Sequence, residues 1–255
     1  MHWDFALILV VLGLAVPLLG RRRMRLLMRQ PETTRGDRLA LYASTVAFQW
    51  LAAAVVLWRT SARGIDAAQL GVAVPHIALA TAVSILLAAL LLANQLFTLR
   101  WTATHPQEMS GVVAKLAMRV FPQDSSERLA FLPVVVTVAI CEEWIYRGFV
   151  QQVFTDWSGG FLPAGIVGSA ALFAWAHLYQ GRRGLFSTFL AGLLFSSVRA
   201  WTGSLAPSVV AHFVADLAVG FLAPSRFRSA LAQLGRPSEH PHLDKASDIK
   251  LLLHM

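Results

Sequence analysis

Three ionisable side chains stand where a membrane protein keeps few of them. Glu142, Glu143 and Arg147 fall in the middle of the apolar run from Leu129 to Phe154. A charge at the centre of a bilayer helix costs roughly 2.5–3.5 kcal/mol on insertion scales, so each needs a partner or a chemical task. At about 3.6 residues per turn, Glu143 and Arg147 share a face one turn apart and can pair. Glu142 lies about 100° round the helix, beside Tyr146, without a local counter-ion. An unpaired carboxylate in such surroundings suits a general base or acid. A charged cluster that pins helices together is the plainer alternative.

Two histidines lie deep in later apolar runs. Phe173 and His177 share one helical face, and His212 and Asp216 share another. Either histidine alone reads as a hydrogen-bonded packing residue. Two of them, with three carboxylates on a third and shared helices, read as a site. At about 1.5 Å per residue, Glu142 is ~20 Å along the helix from Leu129 and His212 ~15 Å from Leu222. His177 lies nearer the inner surface. The three can meet in a cavity open to the inside if their helices are neighbours.

The elements that must position these groups are hydrophobic helices. Of 255 residues 56% are hydrophobic and 14% charged, against about a quarter charged in a soluble domain. The fold class is therefore all-α: a polytopic membrane helix bundle. A formal charge of +8 invites a nucleic-acid partner, but the cations sit in short loops beside apolar spans, which removes that reading. The single cysteine, Cys141, excludes an internal disulfide and a cysteine-only metal site.

Seven spans are predicted: Phe5–Leu19, Leu39–Leu57, Ile77–Phe97, the glutamate-bearing Leu129–Phe154, Phe161–Leu178, Leu185–Trp201 and Leu205–Leu222. Each is near the ~20 residues a bilayer needs. The first is followed, not preceded, by arginines, so it reads as a retained span with its N-terminus outside. Seven crossings then leave the C-terminus in the cytoplasm, with eighteen of the 22 Lys and Arg on the inner side. The sixth span is short, with Arg199 near its end; if it only dipped into the membrane, the last span and tail would change sides. Between the third and fourth spans, Ser110 to Phe121 reads as an interfacial amphipathic helix. Val112, Val113, Leu116, Ala117, Val120 and Phe121 share a face opposite Lys115 and Arg119. The chain divides into 1–128 (three spans and the interfacial helix), 129–222 (the core) and a polar cytoplasmic tail, 223–255.

The core carries a resemblance. Glu142-Glu143-Trp-Ile-Tyr-Arg147 matches EExxxR, Phe173 to His177 matches FxxxH, and His212 to Asp216 matches Hxxx[N/D]. In this order, on successive hydrophobic helices, they resemble the CPBP family (CAAX protease and bacteriocin-processing, or Abi) of intramembrane proteases. The resemblance implies Glu142 as the base that activates water, with His177 its partner or a metal ligand. It implies that His212 and Asp216 complete the site and that Glu143 and Arg147 support the helix. The substrate would be a membrane-associated peptide: a prenylated CAAX C-terminus, a bacteriocin leader or another small membrane peptide.

Asp216 stands where the family often has Asn. An ionised Asp only accepts hydrogen bonds, so Asp216 must hold a proton, orient His212 from behind or ligate a cation. No cofactor is required outright. A zinc ion would need three protein ligands and an open water position, for which His177, His212 and Glu142 are the candidates. The absence of an HExxH pairing favours a metal-independent site. Arg199 is a candidate for binding a substrate carboxylate, or else snorkels to the interface. Trp144, Trp175 and Trp201 read as packing or interface anchors. Two rival functions remain: a proton-coupled transporter, although no internal repeat is evident, and a non-catalytic scaffold or immunity protein, although no motif residue is missing.

Overall fold

A computed structural model describes residues 2–105 and 112–234. It is a bundle of helices, here α1 Trp3–Arg29, α2 Arg35–Ala62, α3 Ile77–Thr104, α4 Val112–Val120, α5 Ser125–Trp157, α6 Leu162–Ala176, α7 Gly181–Thr202 and α8 Ala206–Leu234. Helix α2 packs along α5, α6 along α7, and α3 along α8.

Local chemistry fixes where helices begin. Thr34 and Asp37 form a reciprocal capping box that starts α2. Asp124 starts α5 by accepting from the Glu127 N–H at 2.8 Å. That hydrogen bond holds the Asp124 carboxyl below the usual carboxylate range.

Two ionic clamps hold α2 at its ends. Near its start, Arg38 grips Glu127 of α5 with both arms, at 2.8 and 2.7 Å, and Glu127 is fully buried. Near its other end, Arg59 and Arg63 close on Asp4 of α1. Breaking a buried pair from one side strands a charge, at a cost of about 3–5 kcal/mol. Arg38→Ala is therefore expected to lower the melting temperature in detergent sharply, and Arg38→Met with Glu127→Gln to restore much of it. A single variant that melts like the parent would show that the clamp bears little on stability.

Six of the described helices are long and apolar enough to cross a membrane, not seven. The predicted fifth span, Phe161–Leu178, is the 15-residue α6, about 22 Å long at 1.5 Å per residue. It stops because His177 leaves the helical region (φ −94°, ψ 19°), Leu178–Gln180 tightens to a 3₁₀ turn, and Gly181 takes φ +77°. The predicted sixth span, by contrast, is among the long ones, running Leu178–Thr202. Helix α6 lies beside α1, with Leu172 against Gly13 and Tyr179 near Gly20. Pro17 has no N–H to offer the Gly13 carbonyl; Trp175 Nε1 donates to it instead, at 2.9 Å. Trp175 is thus a specific clasp as well as an anchor.

Helix α4 buries Leu116 and Ala117, leaves Lys115 exposed, and docks through Arg119 on the carbonyls of Leu27 and Gln30. Ser110 and Gly111, the first residues of the predicted amphipathic helix, lie outside the described residues. Helix α8 continues past Pro224 to Leu234, so the polar segment begins helical; its remainder, 235–255, lies outside the described residues.

Candidate active site

Helix α5 changes character where its charges begin. From Glu143 to Val150 it winds as a π-helix, a wider turn often found at functional sites. Ser169 of α6 donates to the Tyr146 carbonyl at 2.7 Å, a second partner beside the Gln151 N–H. The loop before α3 also comes close: a side chain at Gly148 would stand 3.1 Å from the Leu70 carbonyl.

Glu143 and Arg147 pair as expected, Oε1 to Nη1 at 2.9 Å, both wholly buried. Arg147 lies 4.0 Å over the ring of Phe173 and 5.2 Å from that of Phe195. Aromatic faces attract a cation, most strongly where water is excluded. Phe173 thus has a role beyond sharing a face with His177. Its ring also meets Tyr146 edge-on, His177 at 4.7 Å and His212 at 6.4 Å between centroids.

His212 reaches the same carboxylate oxygen as Arg147: its Nδ1 is 2.9 Å from Glu143 Oε1. On its other side, Nε2 is 3.5 Å from Asp216 Oδ2. Both ring nitrogens therefore face carboxylates, Nδ1 at hydrogen-bond distance and Nε2 farther off. His177 turns Nδ1 to the Phe173 carbonyl at 2.9 Å, which leaves Nε2 for other work. Glu142 is 8% exposed. Its Oε1 accepts from Gln49 Nε2 of α2 at 2.8 Å, while Oε2 is buried without a hydrogen-bond partner.

Glu143, Arg147, His212 and Asp216 are thus brought into one chain of contacts, and His177 joins it through Phe173. Glu142 is held from the opposite side by Gln49. The histidine of α8 meets Glu143, the carboxylate expected only to support the helix, and makes no direct bond to Glu142. Helical periodicity puts the two glutamates on different faces but does not say which face α8 covers. Among the described residues no three His, Cys, Asp or Glu side chains group closely enough to hold a metal ion. With both nitrogens of His212 turned to carboxylates, the set His177, His212 and Glu142 does not fit a zinc ion as arranged. Arg199 lies one turn beyond Phe195, where it donates to the Gln69 carbonyl and to Gln152. It ties the 63–76 loop to α5 and α7.

Gln49 is the residue that motif reading misses. Its one signal is an amide in the apolar stretch Leu39–Leu57, at a level where polar side chains are kept for a reason.

Residues 124–218 match the family model described as Rce1-like, type II CAAX prenyl endopeptidase Rce1-like. This agrees with the resemblance read from the three motifs, and it supports an intramembrane endopeptidase of the CAAX type in general. The match covers the described site from α5 to α8 and leaves α1 to α4 outside. Neither a curated protein nor a solved structure matches the chain.

Proposed function

We propose that this chain, with its Rce1-like core, hydrolyses a peptide bond of a membrane-associated peptide, using Glu142 as the base. The observation that carries the reading is the Glu142 carboxylate, buried in a membrane-level helix with one oxygen anchored and the other unclaimed. In this reading Oε2 takes a proton from water as the water oxygen bonds to the scissile carbonyl carbon. His177 Nε2, an acceptor while Nδ1–H holds the Phe173 carbonyl, takes a hydrogen bond from the same water, and His212 completes the site from between Glu143 and Asp216. Glu142 then returns the proton to the leaving nitrogen as the C–N bond breaks, so one water is consumed and one new carboxyl and one amine appear. Glu143 and Asp216 orient His212, and Arg147 keeps Glu143 in place.

The substrate class that fits is a short peptide presented at the membrane, with a prenylated C-terminus first. In this reading the N-terminus lies outside and the arginine-rich segment between α1 and α2 lies inside. The test is purified protein in lipid nanodiscs, given peptides with and without a farnesylated CAAX terminus, with products read by mass spectrometry. Loss of the last three residues from the farnesylated peptide is expected. No new terminus on any peptide of the panel would overturn the reading.

A further inference from the structure

We propose that Gln49 is a positioning residue for Glu142, placing its free oxygen toward the reacting water. The inference rests on the reading of Glu142 as the base, and it concerns a helix outside the family-matched segment. Three observations carry it. The Gln49 amide donates to Glu142 Oε1 at 2.8 Å, and Oε2 has no partner. The register of α2 against its neighbours is fixed at both ends, by Arg38 on Glu127 and by Arg59 and Arg63 on Asp4. One residue along, Trp50 Nε1 bonds Thr137 Oγ1 of α5 at 3.1 Å, so the amide arrives at Glu142 from a rigid frame.

The chemistry of the amide matters as much as its place. A Lys or Arg at position 49 would pair with Glu142 and mute it as a base. A Ser or Thr hydroxyl ends two bonds short of where the Gln49 amide nitrogen donates. A neutral amide orients the carboxylate without supplying a counter-charge or a titrating proton. With Oε1 held, the carboxylate cannot rotate freely, and Oε2 is the oxygen left to meet water. Such orientation is what converts a nearby base into an effective one.

The experiment measures hydrolysis of a quenched fluorescent peptide ending in a farnesylated CAAX sequence, by full-length protein in nanodiscs. Gln49→Leu keeps the bulk and removes the donor. Its kcat is expected to fall roughly 10- to 100-fold, the range for losing a hydrogen bond to a charged group. KM and melting temperature should stay near the parent values. Gln49→Glu keeps the shape and can donate only when it carries a proton, so its rate relative to the parent should climb as pH is lowered. A merely structural role would not produce that climb. Parental kcat in Gln49→Leu, or a flat pH ratio for Gln49→Glu, would overturn the proposal.

A second readout needs no turnover. Labelling by a hydrophobic carbodiimide, mapped by mass spectrometry, should be several-fold faster at Glu142 in Gln49→Leu than in the parent. Equal labelling would overturn the proposal even if the parent cleaves the peptide. If the parent does not cleave it but labelling rises, the reading of the reaction falls while the Gln49–Glu142 contact stands.

Discussion

Glutamine in place of Glu142 is expected to lower peptide hydrolysis by roughly 10³-fold or more while leaving the fold intact; general-base catalysis is worth about 10²–10⁴-fold. The substitution is unusually well matched to its surroundings. A glutamine carbonyl can occupy the place of Oε1 and still accept from Gln49, 2.8 Å away in the parent. Its NH₂ then replaces Oε2, which has no partner to lose. No packing volume changes, so melting temperature should move little. What disappears is the capacity to take a proton. A Glu142→Gln protein that turns over peptide at the parental rate would place the base elsewhere, and Glu143 would be the next carboxylate to examine.

The second large effect is on stability and starts at Arg147. Arg147→Leu leaves Glu143 wholly buried beside His212 alone, and stranding one member of a buried pair costs about 3–5 kcal/mol. It also removes the cation from between Phe173 and Phe195. Expression and melting temperature in detergent should both fall. Adding Glu143→Gln removes the stranded charge, and the double variant should regain most of the lost stability, since apolar or neutral replacements of a buried ion pair are often tolerated. Hydrolysis should not return with it. His212 would keep a hydrogen-bond acceptor at Nδ1 but lose the anionic oxygen it now faces. Stability and activity both recovering would mean that Glu143 serves the fold alone.

The division between what the chain announces and what it hides follows from the range of each interaction. The Glu143–Arg147 pair is legible because both partners lie one turn apart on one helix, and even the π-helical winding of 143–150 does not part them. The His212–Asp216 pair is local in the same sense. The bond from His212 to Glu143 spans 69 residues of sequence, and its choice of Glu143 over Glu142 depends on how α8 rolls against α5. No periodicity carries that information. Gln49 is hidden for the same reason, 93 residues from Glu142.

Hydropathy predicts a full fifth span because it does not register the backbone turn at His177–Gly181. The apolar stretch continues through Leu178 while the helix does not. The helix ending there places His177 at a corner, where its Nδ1 folds back to the Phe173 carbonyl and its Nε2 points away from α6's own backbone. The same break that cuts the predicted fifth span short thus leaves a histidine nitrogen clear of the helix's own carbonyls.

The most direct test compares the C-terminal peptides of membrane proteins from cells making equal amounts of the parent or of Glu142→Gln. If Glu142 activates water for cleavage at the membrane, one or more membrane-associated peptides will end at a new, shortened terminus only with the parent, and will persist uncut with the variant. Identical sets of termini in the two, with the shortened products present in both, would contradict the account.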